Sequence, residues 1–147
     1  MFPFEDLKQI HLEITTRCQA SCPMCSRNYH GGLENPNLKL NDWTLDEFVA
    51  IFDSTLVNQL SGVYFCGNFG DPIINNDLAE MCEHLTVNSP SMSVRIHTNG
   101  SAQSLDWWSN LPTKLPKDHV VVFALDGLAD THSIYRIGTN FNQILKN

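Results

Sequence analysis

At 147 residues, with 42% apolar and 10% aromatic side chains, the chain is sized for one domain with a hydrophobic core and is not a disordered tail. Nine Lys and Arg against sixteen Asp and Glu leave a formal charge of −7, which argues against the basic surface that releases counterions on nucleic acid. The opening "MFPFEDLKQI" places Glu5, Asp6 and Gln9 where a secretory signal needs an apolar run, and no later stretch reaches membrane-spanning length; the expected location is the cytoplasm, with neither nucleic acid nor membrane as partner.

In chain order, "IHLEIT" (10–15) puts Ile10, Leu12 and Ile14 on one face and reads as the first strand. Directly after it comes "CQASCPMC", in which Cys18, Cys22 and Cys25, three of five cysteines, fall within eight positions. "TLDEFVAIFDSTLV" (44–57) predicts a helix opened by a Thr44–Glu47 capping box, with Leu45, Phe48, Val49, Phe52 and Leu56 as its apolar stripe. A short buried strand, "GVYFC" (62–66), then runs into "GNFGDP" (67–72). "NDLAEMCEHL" predicts a second helix on Leu78, Met81, Cys82 and Leu85, and the alternating strand "SVRIHT" (93–98) ends in "TNG". "SLDWWSNL" predicts a short helix stopped at Pro112. "HVVVFAL" (119–125), continuously apolar, predicts a strand covered on both faces and followed by Asp126 and Gly127, and "NFNQILKN" starts another helix. Strands alternating with helices predict right-handed crossovers and a parallel sheet.

Ligands of such sheets sit beyond the carboxyl ends of the strands, so four unusual loops are expected on one face. Singly, the glycines and prolines read as turn chemistry, and Asp126 as a cap or turn. Cys82 reads as a structural thiol, Cys66 as a structural thiol or one that lines the site, Trp107 and Trp108 as helix packing, and His11, His84, His97 and His119 receive no role. The cysteine cluster is different: a disulfide uses two thiols and a closed tetrahedral site four. Two metal readings fit three, namely a Cys3His zinc staple completed by His30, or an iron–sulfur cluster whose remaining iron stays open to a small molecule.

"EITTRCQASCPMC" resembles the first strand and cluster loop of radical S-adenosylmethionine (radical SAM) enzymes, with C-x3-C-x2-C after E-x-T. "FGDP" resembles that family's G-G-E-P segment, and "TNG" its common third-strand ending. "ALDGLADTHSIYRIGTNF" resembles the S-x-D-G…R…G…F stretch of the SPASM-type branch, whose members often carry a second iron–sulfur region. The resemblance implies an α/β fold, a parallel-stranded partial (β/α) barrel of which residues 1–147 form about the first four strand–helix units. It also implies that this one domain is the N-terminal portion of a larger core, completed by a C-terminal segment, a partner chain or self-association.

The resemblance further implies a 4Fe-4S cluster on Cys18, Cys22 and Cys25, with S-adenosylmethionine chelating the fourth iron. Reductive cleavage would give methionine and a 5′-deoxyadenosyl radical that abstracts hydrogen from a substrate, in this branch most often a peptide or protein. An external electron donor of flavodoxin or ferredoxin type is implied as well. By position, Gly70, Asp71 and Pro72 would meet the methionine amino group, Thr98 and Asn99 the ribose or carboxylate, Asp126 would lie near the cofactor, and Arg136 would pair with a carboxylate. Asp71 stands where glutamate is usual, Met24 where an aromatic is frequent, and Ala124 where serine is frequent. From other classes, a zinc-stapled binding module and an iron–sulfur electron carrier that does not cleave S-adenosylmethionine stay open.

Overall fold

Period-2 apolar patterning in four short segments sets the architecture. The computed structural model describes residues 3–29 and 32–147. In order these form β1 (Gln9–Leu12), β2 (Asn28–Tyr29), β3 (Leu33–Glu34), α1 (Leu45–Ile51), α2 (Ser54–Gln59), β4 (Gly62–Phe65), α3 (Leu78–Asn88), β5 (Ser93–Thr98), α4 (Leu105–Lys114), β6 (Asp118–Phe123), α5 (His132–Tyr135) and α6 (Phe141–Ile144). Among the described residues, β1, β4, β5 and β6 make a four-stranded sheet in that order, every pair parallel, while β2 and β3 form a small antiparallel ribbon beside the cysteine loop.

The register pairs Leu12 with Phe65, Phe65 with Ile96 and Ile96 with Val121. Residues paired across a parallel sheet share a face, so Ile10, Leu12, Val63, Phe65, Val94, Ile96, Val121 and Phe123 all point one way. That face packs on the helices. Phe48 stacks on Phe52 with centroids 4.5 Å apart, and both join Phe65, Leu78, Met81, Cys82, Leu85 and Leu111 in the core. Truncating one of these buried phenylalanines to alanine is expected to cost about 3–5 kcal/mol. Trp108 lies 5.2 Å from Phe123, and its indole N–H donates to the Ala102 carbonyl at 2.9 Å, so the tryptophans pack as expected. Cys82 is fully buried.

Three expectations are corrected. The helix over 44–57 is two helices: its capping box forms, with the Thr44 hydroxyl accepting from Glu47 N–H, but Asp53 caps a fresh start by accepting from Leu56 N–H at 2.9 Å. The break redirects the stripe, burying Val57 and leaving Val49 exposed. Pro112 does not end α4, which runs on to Lys114. A proline this near the C-terminal end removes one hydrogen bond, and burial of Leu111 and Leu115 on either side offsets that loss. The last helix starts as expected and spans Phe141–Ile144. Finally, β6 is covered on one face only, since Val120 and Val122 are 38% and 37% exposed on the face away from the helices.

A candidate cofactor site at the strand ends

Beyond the carboxyl ends of the sheet lies a cavity of about 330 Å³. Its wall includes Cys18, Cys22, Cys25, Cys66, Gly70, Asp71, His97, Thr98, Asn99 and Arg136. Most of the residues expected at the site therefore converge. Pro72 and Asp126 do not line it: Pro72 is buried at the start of a helical turn over Pro72–Ile74, and Asp126 stands behind Arg136 as its ion-pair partner. The zinc reading's fourth ligand, His30, lies outside the described residues.

Tight local bonds shape the cysteine loop. Cys25 N–H donates to the Cys22 carbonyl at 3.1 Å, and the Asn28 amide donates to the same carbonyl at 2.9 Å. Ala20 N–H and the Asn99 amide both reach Cys18 Sγ, at 3.4 and 3.6 Å, while Gln19 Nε2 donates to Asn99 Oδ1 at 2.6 Å. All five thiols are free. Burial pushes the Cys18 thiol up to about 11. Burial also raises Cys22, opposed by the positive charge of the nearby Arg136 guanidinium.

No three His, Cys, Asp or Glu side chains among the described residues are arranged to hold a single metal ion. The three thiols instead stand around one cavity, an arrangement suited to a polynuclear cluster that takes each thiolate on a different iron. Soft sulfur donors whose protons are displaced by a cationic centre fit that group chemically.

The "GNFGDP" loop is held by residues to which sequence reading gave no role. The Glu13 carboxylate, on the strand extension leading to Cys18, accepts from Phe69 N–H and, at 3.0 Å, from Gly70 N–H. Gly70 lies against Thr15: a Cβ there would sit 1.9 Å from the Thr15 carbonyl oxygen, so only glycine fits. Arg27, buried, donates to the carbonyls of Thr16 and Phe69 and pairs with Glu34, binding the cysteine loop to this loop and to β3. Asp71 turns its carboxylate into the protein, accepting from Thr98 Oγ1 and Asn99 N–H at 2.7 Å each and from Ile73 N–H at 3.2 Å. Burial raises its pKa and these donors pull it back. The Thr98 hydroxyl is used twice, since it also accepts from Gly100 N–H.

Cys66 lines the cavity, the second of its two readings, and so does His97, which had been assigned no role. A signal was present in the strand alternation. With Val94 and Ile96 facing the helices, Arg95 and His97 must face the other way, in step with His11 and Tyr64.

No family model matches the sequence. The chain is 27% identical over 133 residues to the tungsten-containing aldehyde ferredoxin oxidoreductase cofactor-modifying protein of Pyrococcus furiosus, covering 90% of this chain and 34% of the relative. Among solved structures, it is similar to native anSMEcpe with bound AdoMet, with a TM-score of 0.68 at 20% identity over 95% of this chain and 39% of that one. BtrN in complex with AdoMet and 2-DOIA gives a TM-score of 0.52 at 19% identity, over 78% of this chain and 45% of that one. The chain thus spans between about a third and a half of the length of these relatives.

The fold is that of a partial parallel (β/α) barrel of the radical SAM type. The resemblance to radical SAM enzymes is matched by this architecture, which brings the strand-end loops together around one cavity.

Proposed function

We propose that this chain carries the S-adenosylmethionine-cleaving core of a radical SAM enzyme, with Cys18, Cys22 and Cys25 as the thiolates of a 4Fe-4S cluster. The convergence of these three free thiols with the ends of β4 and β5 and with Arg136 in one cavity carries the reading. When bound, the cluster supplies the electron that splits S-adenosylmethionine into methionine and a 5′-deoxyadenosyl radical, which takes a hydrogen atom from substrate.

The protein's own part is positioning. Gly70 and Pro72 fix the loop whose backbone meets the methionine amino group, and Glu13 holds that loop from beneath. Asp71 and Thr98 act through the loop geometry they lock, with Asn99 left to orient Cys18 and face the ribose or carboxylate. Arg136, aimed by Asp126, presents its charge to Cys22 and to the cofactor carboxylate. Met24, 83% exposed in the cysteine loop, would meet the adenine through its thioether or its backbone edge. An external flavodoxin- or ferredoxin-type protein supplies the electron. The neighbours' ligands range from 2-DOIA in BtrN to the Cp18Cys peptide bound with AdoMet in anSMEcpe, so fold alone does not choose between a small molecule and a peptide as substrate.

Anaerobic reconstitution with iron and sulfide, followed by metal analysis and assay of 5′-deoxyadenosine, tests the proposal. A single 4Fe-4S cluster is expected, abolished by Cys18→Ala, Cys22→Ala or Cys25→Ala and retained in Cys66→Ala and Cys82→Ala. Zinc without iron would establish the binding module instead. A cluster that never yields 5′-deoxyadenosine would establish the electron carrier.

A further inference from the structure

The face of the sheet turned away from the helices is polar over β1, β4 and β5 and becomes apolar at β6. Its lowest row is Gln9, Gly62, Ser93 and Asp118, and above it stand His11, Tyr64, Arg95 and Val120. A second cavity, of about 320 Å³, lies over these rows; Ile10, Gly62 and Val63 line it together with Gln9, His11, Tyr64, Ser93 and Arg95. It is joined to the cysteine-lined cavity by a chain of contacts: the Tyr64 hydroxyl meets His97 Nδ1 at 3.2 Å, and His97 lines the other cavity.

Arg95 is exposed and enters no ion pair among the described residues, in a molecule whose net charge is −7. Unsatisfied cationic charge beside hydroxyl and imidazole groups, at the floor of a concavity, is the chemistry that receives an oxyanion. His11 Nε2 donates to the Cys66 carbonyl at 2.6 Å, which fixes its ring beside Tyr64, 5.3 Å away between centroids. The carboxylates on this face stand at its two ends: Asp118 on the lowest row, and Glu13 at the top, spent on the Phe69 and Gly70 N–H groups.

We propose that this face is the substrate's anchoring site, in which Arg95, flanked by Tyr64 and His11, binds a carboxylate or phosphate group of the substrate. Two residues of β5 separate Arg95 from His97, so an anion held at Arg95 leaves the ligand about 7 Å to cover before it reaches the cysteine-lined cavity. The substrate is thus anionic at one end and reacts several bonds away from that charge. This deepens the proposed function and rests on it only for the word substrate, since the anion site itself needs neither cluster nor S-adenosylmethionine.

Inorganic phosphate is the probe, and the histidine ring resonances followed by NMR are the readout. In the wild-type chain, His11 and His97 shift and saturate with phosphate. Arg95→Gln weakens that binding about tenfold, as expected for loss of a charge-assisted contact, Arg95→Lys restores part of it, and Lys146→Gln, at a distant basic residue, leaves it unchanged. Thermal melts of Arg95→Gln establish that the fold is intact. Absence of saturable shifts, or equal affinity in wild type and Arg95→Gln, overturns the inference. If 5′-deoxyadenosine still forms in that case, the proposed function stands without it; phosphate binding without 5′-deoxyadenosine removes the enzyme reading and leaves the anion site.

Discussion

At the scale of single residues, the cavity depends on side chains whose hydrogen bonds go to the protein itself. Asp71 gathers three donors on one buried carboxylate, so Asp71→Asn must leave a donor facing an amide. A loss of about 1–3 kcal/mol in denaturant unfolding is expected, with S-adenosylmethionine binding weakened before cluster assembly is. Gly70→Val drives a side chain into the Thr15 carbonyl and is expected to abolish cofactor binding while iron incorporation persists; equal loss of both would make the loop structural only. His97 carries a pH signature. Burial first, then Arg95 and His11, depress its pKa below 6.5, so the folded protein holds the neutral ring where the unfolded chain is already taking up a proton. Stability therefore falls as pH drops through about 6.5 toward the folded value and is unaffected by this group above that window. Melting temperatures between about pH 7 and 5 should show a shallower decline in His97→Gln than in wild type. The cysteine trio was legible because its spacing is chemistry in itself; Glu13 was visible only as part of E-x-T and Arg27 not at all, because service to backbone groups of a distant loop leaves no local sign of that role.

Among elements, legibility followed length and periodicity. The four parallel strands and α3 announced themselves through apolar alternation and a long stripe, and the Thr44 capping box formed as expected. What escaped was short. The four residues of α5 and the two-residue strands β2 and β3 give no period to read, and the α1–α2 break needed only the local cap at Asp53. The segment carrying α5 matters through its contact with the cysteine loop: Ser21 N–H donates to the Ile137 carbonyl at 2.8 Å, and Gly138 adopts φ +86°. A Cβ on Gly138 would lie 2.7 Å from the Gln19 carbonyl, beside Cys18. Gly138→Ala should therefore push the two segments apart and reduce iron retained after reconstitution severalfold, with a stability loss on the order of 1–2 kcal/mol by denaturant unfolding. A larger stability loss with iron content unchanged would show that the segment supports the fold rather than the cysteines.

For the molecule as a whole, the sheet grows in one direction, β1 to β6, as one wall of a barrel, and the chain corresponds to 39% of the anSMEcpe structure it resembles. Among the described residues β6 pairs only with β5, so its far edge presents free N–H and C=O groups, next to Val120 and Val122 on the open face. An apolar edge of this kind is a template for another strand, from the same polypeptide or another. The 147-residue chain alone is accordingly expected to self-associate through β6, the apparent mass by size exclusion with light scattering rising with concentration. Val122→Lys, which puts a charge on the exposed face of that edge strand, should return it to a monomer without disturbing Val121 and Phe123 on the helix side. Extending the chain with a segment that supplies the neighbouring strand should remove the association and raise 5′-deoxyadenosine formation together, because β6 leads directly into Asp126 and Arg136. A wild-type chain that stays monomeric at high concentration and forms 5′-deoxyadenosine no faster when extended would show that this edge is closed without a further strand.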